Sequence, residues 1–280
     1  MSSHSNAVTV EWIPPKPKDK RILPIFEHYL KALAVDLTKS VLVVGGGEED
    51  LAILSAVGFQ RVVLSNLKSC ELCLDAEDMK LPDNSYSAVF AHGVLHHCRC
   101  PHKALGEMVR VARQHVFFLD ANDSWVFRLL TRLKLSFPYE VGITVDRGYL
   151  EGGMRNGSIP NYMYRWTEGE VRKCVAAYNP ERKIEVHALT YWDFEAWDEE
   201  SPLRRKESRT AKLAQTIGPR NFVRGLRTTQ AVLNAVPPLR AEGNKFFCAI
   251  SKGELQPWIE ARNGQFYEKA GYRTKLSAPL

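Results

Sequence analysis

The sequence has no long apolar run and no N-terminal leader pattern. Of its 280 residues, 45% are hydrophobic, but none of the apolar stretches approaches the roughly 18 residues that a membrane-spanning helix needs. The first 20 residues contain Pro14, Pro15 and Pro17, where a secretory signal would have an apolar core. We therefore expect neither a transmembrane segment nor export, and we predict a cytoplasmic protein.

Cysteine and charge of one sign are also limited. Six cysteines scattered over the chain do not make the dense framework of a small disulfide-bonded domain, which predicts reduced thiols. The 38 basic and 32 acidic residues leave a net charge of +6, and the basic residues are spread out until residues 203–227. The sequence has no aromatic and basic motif typical of RNA binding, so we expect no nucleic-acid partner.

One glycine-rich turn lacks the spacing that a dinucleotide requires. Residues 40–66 read as a strand, the turn Gly45, Gly46 and Gly47, a helix and a second strand. A dinucleotide site needs a third glycine where Asp50 stands, and the three acids at residues 48–50 would repel a diphosphate. The same acids favour a cationic ligand at the carboxyl ends of the strands, although each of them also suits a helix N-terminus.

Strand-like and helix-like segments alternate along most of the chain. We predict strands at 41–44, 61–64, 71–74, 87–92, 115–119, 183–191 and 245–251, with helices between several of them. This order indicates an α/β fold with a doubly wound, Rossmann-like sheet of seven strands, the last of them antiparallel. A helix from residue 23 is expected to cover the ligand crevice.

The predicted domain boundaries follow composition. Residues 1–22 are expected to be a mobile arm, because three prolines forbid regular structure there. Residues 23–252 would form one domain, with helical and loop insertions at about 137–166 and 195–243 that make a cap. Residues 253–280 read as a polar tail.

Several motifs together resemble class I S-adenosylmethionine-dependent methyltransferases, in the branch of small-molecule and quinone methyltransferases. The resemblance covers about residues 23–122 and lies in VLVVGGG, LSN, LDAEDMKLPDNSYSAVFAHGVLHH and PHKALGEMVRVAR. It implies S-adenosylmethionine as the cofactor. It also implies cofactor contacts from two groups of residues: the glycine turn, and Asn66, Leu67, Asp75, Ala76, Glu77, His92 and Gly93.

The roles implied by the resemblance are specific. Gly45 and Gly47 would lie against the methionyl part, the position of Asn66 would hold the ribose hydroxyls, and Asp75 would accept from the adenine amino group. The chain departs from the family at two points, because the family usually has an acid at the positions of Val43 and Asn66. These departures keep two rivals open, a binding protein that retains the fold without activity and a nucleotide-dependent oxidoreductase.

A histidine-rich stretch follows the fourth predicted strand. His96 and His97 are our candidate catalytic residues, because a histidine near neutrality can take a proton from a hydroxyl during transfer. With Cys98, Cys100 and His102 they look like metal ligands, but a structural zinc site usually uses separated ligand pairs. We therefore predict no metal site. No Ser-His-Asp arrangement or nucleophilic cysteine can be argued.

The aromatic and glycine-rich insertion is the predicted acceptor site. Arg147, Arg155 and Arg165, with Tyr162, would hold the acceptor, and the arginines suit an anionic group. The alternative is a lid packed by its own aromatic residues. The predicted function is methyl transfer from S-adenosylmethionine to a small molecule or glycan, most simply to oxygen, in small-molecule biosynthesis. The pattern leaves a homo-oligomer open.

Overall fold

A computed structural model describes residue 17 and residues 22–68, 72–134, 136, 138–146, 148, 150–194 and 209–272. The predicted arm at residues 1–22 lies almost wholly outside the described residues, as do Arg147 and residues 195–208 of the second insertion. None of the described helices combines the length and the apolar character that a membrane crossing requires.

A mixed sheet forms the centre of the molecule. Its strands are β1 (Ser40–Val44), β2 (Arg61–Ser65), β3 (Tyr86–His92), β4 (Ala112–Asn122), β5 (Arg165–Trp166), β6 (Arg182–Tyr191) and β7 (Lys245–Leu255). The order is β2-β1-β3-β4-β7-β6, with β5 paired to β4. The strands β1 to β5 pair in parallel, whereas β7 runs antiparallel between β4 and β6. The prediction of a seven-stranded sheet with an antiparallel last strand is confirmed.

Helices cover both faces of this sheet. They are α1 (Ile22–Ala32), α2 (Glu48–Ala56), α3 (Pro101–Val111), α4 (Trp125–Arg132), α5 (Val141–Asp146), α6 (Glu168–Tyr178), α7 (Arg209–Ile217), α8 (Pro219–Ala235) and α9 (Pro237–Ala241). Short 3-10 helices lie at Leu95–His97 and Met154–Asn156. Side chains of β1 alternate between two apolar clusters, with Leu42 packed toward α3 and Val43 toward α1.

Two sequence expectations about elements are corrected, and the predicted tail contains strands. Within the strand expected at 71–74, the described residues 72–74 form one isolated bridge, between Asn66 and Cys73, and the two-residue β5 supplies the seventh strand. Helix α1 packs on the sheet, where Phe26 contacts Phe90, Phe117 and Phe247, and none of its residues lines the ligand crevice. Within the predicted tail, β7 extends to residue 255 and β8 (Ile259–Arg262) pairs with β9 (Gln265–Glu268).

Candidate functional site

A cavity of about 310 Å³ opens at the carboxyl ends of the parallel strands, and we call it the strand-end cavity. Crevices at this edge are where ligands bind in open α/β sheets. Of the predicted cofactor residues, the cavity is lined by Gly45, Asn66, Leu67, Asp75, Ala76, Glu77, His92 and Gly93. The structure thus brings eight of the ten together, from four different loops. Gly46 and Gly47 do not line it.

The glycine turn shapes this cavity through its backbone. Gly45 has φ +66, a left-handed conformation that residues with a side chain rarely adopt. This conformation turns the backbone and ends β1 at Val44. A Cβ atom on Gly46 would lie 2.2 Å from a methyl carbon of Val43, so only glycine fits there. Gly47 precedes α2 and donates its amide N–H to Asp50 at 2.9 Å. The second and third glycines therefore build the turn, and the first faces the cavity.

The acids of α2 do not face the cavity as the charge argument expected. Glu48 is exposed and Glu49 is partly buried, and neither they nor Asp50 line the strand-end cavity. Asp50 is buried and joins the helix start to His92, whose Nδ1 lies 3.1 Å from its carboxylate. Its role is to cap α2 and orient His92. Val43 is fully buried among apolar residues, so β1 offers the ligand no carboxylate.

Asn66 connects two of the loops around the cavity. Its Oδ1 accepts from the backbone N–H of Leu67 at 2.7 Å, and its Nδ2 lies 3.5 Å from the carbonyl oxygen of Gly46. An aspartate at this position could accept from Leu67 but could not donate to Gly46. The amide therefore suits the link between the end of β2 and the glycine turn.

Two carboxylates, those of Asp75 and Glu77, line the strand-end cavity. Asp75 accepts from the N–H of Glu77 at 3.0 Å. The buried Glu77 accepts from the N–H groups of Cys100 at 2.7 Å and Arg99 at 3.3 Å, directly before α3. Glu77 thereby satisfies amides at a helix N-terminus, a structural use that the sequence motif did not reveal.

The insertion closes one side of the strand-end cavity. Gly152, Gly153, Arg155 and Asn156 line it, and the guanidinium of Arg155 contacts Asp75 at 2.7 Å and Glu77 at 3.1 Å. Both Arg155 and Asn156 have positive φ values, and tight backbone hydrogen bonds such as Met154 N–H to the Ile159 carbonyl hold this loop. Arg155, predicted to bind the acceptor, instead lies in the strand-end cavity.

The candidate catalytic histidines lie in the 3-10 helix that follows β3. His96 Nδ1 is 2.5 Å from Asp120, at the end of β4, and its Nε2 is 3.3 Å from Glu140. His97 Nδ1 is 3.3 Å from the carbonyl oxygen of Gly153, and His97 lines the strand-end cavity. Cys98, Cys100 and His102 complete the apparent metal motif of the sequence, and none of these three belongs to the cluster that His96 and His97 form with Glu140.

The charges in this cluster follow from burial and neighbours. Burial opposes charging of His96, but Asp120 and Glu140 outweigh it and raise its pKa to about 9. Burial and the positive charge of His96 lower the pKa of His97. The pKa of Glu140 is lowered, because hydrogen bonding and charge from the histidines outweigh burial. At neutral pH, His96 is an imidazolium and His97 is neutral. Burial raises the pKa of Cys98 to about 12, which keeps its thiol protonated.

A second cavity adjoins the first. It measures about 260 Å³ and shares His92 and Gly93 with the strand-end cavity. Its walls also include Arg165, Lys245 and His96. Through Arg165 it continues into an outer groove of about 920 Å³, which is lined by Tyr162 among others. The outer groove, the second cavity and the strand-end cavity therefore adjoin one another in that order through shared lining residues.

Arg165 is the cation best placed in the second cavity. Its guanidinium carbon lies 5.1 Å from the centroid of the Phe127 ring, and burial lowers its pKa. Among the described residues, no carboxylate lies within ion-pair distance of it. Tyr162 is 52% exposed and packs edge to face on Tyr139, farther from the strand ends. Arg147, the remaining predicted acceptor residue, is outside the described residues.

Three residues that organise the site were not predicted from the sequence: Asp120, Glu140 and Asn161. Asp120 lies near the end of the apolar strand β4, which pairs with β3 next to His92. The order of the strands could therefore have predicted its place in the site. Glu140 and Asn161 come together only because residues around 139 and 162 pair in an antiparallel bridge, with Glu140 N–H donating to the Asn161 carbonyl at 3.0 Å. Nothing in local sequence predicts that pairing.

The residues of the strand-end cavity fit S-adenosylmethionine. Gly45 and Gly93 both turn through the left-handed region at strand ends, and a Cβ on Gly93 would project into space where the nearest atom is 3.8 Å away. Asp75 offers an acceptor for an amino group, and Asn66 offers an amide at the end of β2. Among the described residues at the glycine turn, no carboxylate lines the cavity to receive the methionine ammonium group, because Asp50 is engaged with Gly47 and His92.

Comparisons with known proteins agree with this site. Residues 26–119 match the family model described as a methyltransferase domain, about a third of the chain. A search of curated proteins found no match.

Among solved structures, the chain is similar to a SAM-dependent methyltransferase from Archaeoglobus fulgidus (14% identity, 82% of this chain and 93% of that chain covered, TM-score 0.41). It is also similar to a Haemonchus contortus phosphoethanolamine N-methyltransferase bound to phosphomonomethylethanolamine and S-adenosylhomocysteine (15% identity, 86% of this chain and 54% of that chain covered, TM-score 0.43). A third similar structure is the YcgJ protein from Bacillus subtilis (11% identity, 81% of this chain and 97% of that chain covered, TM-score 0.45). Similarities at this level carry no argument about activity.

The matched residues contain β1 to β3, the glycine turn, Asp75 and the histidine-rich stretch, which together make most of the strand-end cavity. The similarity to a methyltransferase domain therefore covers most of the strand-end cavity, and it supports the resemblance to class I S-adenosylmethionine-dependent methyltransferases, with S-adenosylmethionine as the cofactor.

Proposed function

We propose that this protein transfers the methyl group of S-adenosylmethionine to an oxygen atom of an anionic small molecule or glycan. The observation that supports this most is the second cavity. It meets the strand-end cavity at His92 and Gly93, and Arg165 lies in its wall without a carboxylate partner among the described residues. A desolvated guanidinium favours a carboxylate, a phosphate or an acidic sugar as its ligand.

The bound cofactor would supply an electrophilic methyl group, and the protein would orient the acceptor toward it. Arg165 would hold the anionic group at the outer end of the second cavity, and Lys245 lies in the same wall. Enclosure between the insertion and the sheet would exclude water and raise the nucleophilicity of the acceptor oxygen. Most of the rate would then come from positioning.

His92 is the residue that we assign to proton transfer. It lines both cavities, and Asp50 at 3.1 Å from its Nδ1 fixes the ring. An imidazole held by a carboxylate can accept the proton of an acceptor hydroxyl at its other nitrogen. His96 is less suited, because at neutral pH it already carries the proton. His97 is neutral and lies beside the cofactor, so it is the second candidate.

A binding protein without activity is the alternative that one observation favours. The family position at Val43 is buried and apolar, and no acid of α2 lines the strand-end cavity. Such a protein would bind the cofactor without turnover. The oxidoreductase alternative loses its support with the match to a methyltransferase domain.

The test is a transfer assay with paired acceptors. The protein is incubated with S-adenosylmethionine labelled in its methyl group and with hydroxycarboxylates, sugar acids and phosphorylated alcohols, each beside its neutral amide or ester. We expect label to enter anionic acceptors only. Label in neutral partners to the same extent would contradict the proposed acceptor class, and cofactor binding without any transfer would favour the binding protein.

Variants then test the role of Arg165. For an acceptor found in this way, Arg165→Gln should raise the Michaelis constant about 10- to 100-fold, because a charge-assisted contact is lost. Cofactor affinity should not change, since Arg165 does not line the strand-end cavity. The matched control is Arg224→Gln on α8, which lines none of the three cavities. Equal Michaelis constants in the two variants would remove Arg165 from the acceptor site.

A further inference from the structure

Three side chains of the histidine cluster converge between the strand-end cavity and the second cavity. His96 Nε2 lies 3.3 Å from a carboxylate oxygen of Glu140, and His97 Nε2 lies 3.7 Å from the same oxygen. The donor atoms of the three residues all lie within 4.8 Å of one another. In the part of the chain that the structure describes, this is the one group of three such residues with metal-binding spacing.

The spacing of the donor atoms fits a metal ion. Zinc binds imidazole nitrogen and carboxylate oxygen at about 2.0–2.2 Å, so two ligands of a tetrahedral ion lie about 3.3 Å apart. The two distances of 3.3 and 3.7 Å are close to that value. An ion between the three atoms would need only small shifts of the side chains.

Each of the three side chains also makes a hydrogen bond to a further residue, which fixes its orientation. The Nδ1 of His96 contacts Asp120 at 2.5 Å, and the Nδ1 of His97 contacts the Gly153 carbonyl oxygen at 3.3 Å. Both rings therefore turn Nε2 toward Glu140. Asn161, which is fully buried, donates from Nδ2 to Glu140 at 3.3 Å. Outer partners of this kind fix the tautomer and orientation of ligating histidines in metal sites.

From this geometry we propose that His96, His97 and Glu140 bind a divalent transition metal, zinc in the first instance. Two imidazoles and one carboxylate form a donor set that favours zinc, cobalt or iron over magnesium and calcium. His96 and Glu140 line the second cavity, and His97 lines the strand-end cavity, so the ion would face the junction of the two. Its open coordination position would be available to an oxygen of the acceptor.

The competing explanation is a metal-free cluster in which hydrogen bonds join the same atoms. The proposed metal site differs from the histidine and cysteine motif of the sequence. It does not include the cysteines, and it includes Glu140 from the aromatic and glycine-rich insertion. Metal binding requires no turnover and no cofactor. It can therefore be tested apart from the proposed methyl transfer.

The test uses Co²⁺ as a spectroscopic probe. The full chain is stripped with a chelator, dialysed, and titrated with Co²⁺ in the absence of S-adenosylmethionine, while visible absorption of the ion is recorded. We expect one Co²⁺ per chain, displacement by Zn²⁺ and no competition by Mg²⁺. Absence of stoichiometric binding would overturn the proposal.

Variants locate the site. Glu140→Gln keeps the size of the side chain but removes the charge, and His97→Gln removes one imidazole, so each should weaken Co²⁺ binding about 100-fold. The matched control His102→Gln changes a nearby histidine that pairs with Glu170 at 2.8 Å outside the cluster, and its affinity should equal that of the parent. Unchanged affinity in both cluster variants, with native circular dichroism, would assign the ion to another place and overturn the proposal. Cofactor binding, measured on the same samples, separates this result from a failure of the methyltransferase assignment.

Discussion

At the scale of single residues, the site depends on carboxylates whose roles are set by what they contact. Asp50, Glu77 and Asp120 each face a backbone N–H or a histidine, and so they build the site before any ligand enters. Asp75 also accepts a backbone N–H, from Glu77, but its other oxygen pairs with the partly exposed Arg155 in the strand-end cavity. It is the carboxylate with the clearest opportunity to contact the cofactor.

We predict that Asp75→Ala weakens S-adenosylmethionine binding by about 1 to 3 kcal/mol, or roughly 5- to 150-fold in Kd. The reason is the loss of a charged acceptor for the adenine amino group in a partly buried site. Isothermal titration calorimetry measures the change. Asp78→Ala is the control, since Asp78 is exposed and pairs with Lys80. Equal affinities in the two variants would show that Asp75 is only a turn residue.

At the scale of elements, α3 is fixed at both ends. At the N-terminus of α3, Glu77 accepts the backbone N–H of Cys100, directly before the first turn of the helix. At the C-terminus, the ammonium of Lys252 on β7 donates to the carbonyl oxygens of Val109 and Ala112 at 2.8 and 2.7 Å. Negative charge at a helix N-terminus and positive charge at its C-terminus both interact favourably with the helix dipole and stabilise the helix. The helix is therefore held under the histidine-rich stretch that precedes it.

Lys252 makes the stability of this arrangement depend on pH. Burial lowers its pKa to about 8 from 10.5, so between these values the unfolded chain binds more protons than the folded chain. The free energy of unfolding contributed by Lys252 should therefore rise as pH increases from about 8 to 10.5, and it should be constant below pH 8. Urea unfolding of the parent and of Lys252→Met across this range measures it. Parallel curves for the two proteins would contradict the prediction.

The loop at residues 152–159 is the second element on which the site depends. A Cβ atom on Gly153 would lie 2.0 Å from the carbonyl oxygen of Ile159, and the Gly153 carbonyl accepts from His97. We predict that Gly153→Ala displaces the loop and lowers cofactor affinity several-fold, because overpacking of this kind costs about 1 to 3 kcal/mol.

Hydrogen exchange of residues 152–159 and cofactor titration together check this prediction. The control is Gly142→Ala in α5, where a Cβ atom would meet no atom within 4 Å. If Gly153→Ala exchanges and binds like the control, the loop tolerates the change and does not shape the cavity.

At the scale of the whole molecule, the sequence predicted the sheet better than the cap. Buried strands such as β1 and β4 are local apolar runs, and parallel order follows from the helices between them, so topology could be inferred. The cap depends on the pairing of residues near 139 and 162, which lie more than twenty residues apart in an irregular segment. Such contacts have no periodic signal, and Glu140 and Arg155 could not be placed for that reason.

The candidate site divides in the same way. Asn66, Asp75 and His92 sit at predicted strand ends, and family motifs with fixed spacing place them. The acids of α2 do not supply the cavity with negative charge, because Asp50 caps the helix and contacts His92, and neither Glu48 nor Glu49 lines the cavity. Side-chain direction at a helix start is decided by tertiary contacts that spacing does not contain.

A crystal structure of the full chain with S-adenosylhomocysteine bound tests most directly whether the strand-end cavity holds the cofactor. We predict the adenine within hydrogen-bonding distance of Asp75, the ribose at Asn66, and the sulfur directed toward His92 and Gly93, where the two cavities meet. Density for the ligand outside the strand-end cavity, or a sulfur directed away from the second cavity, would contradict it.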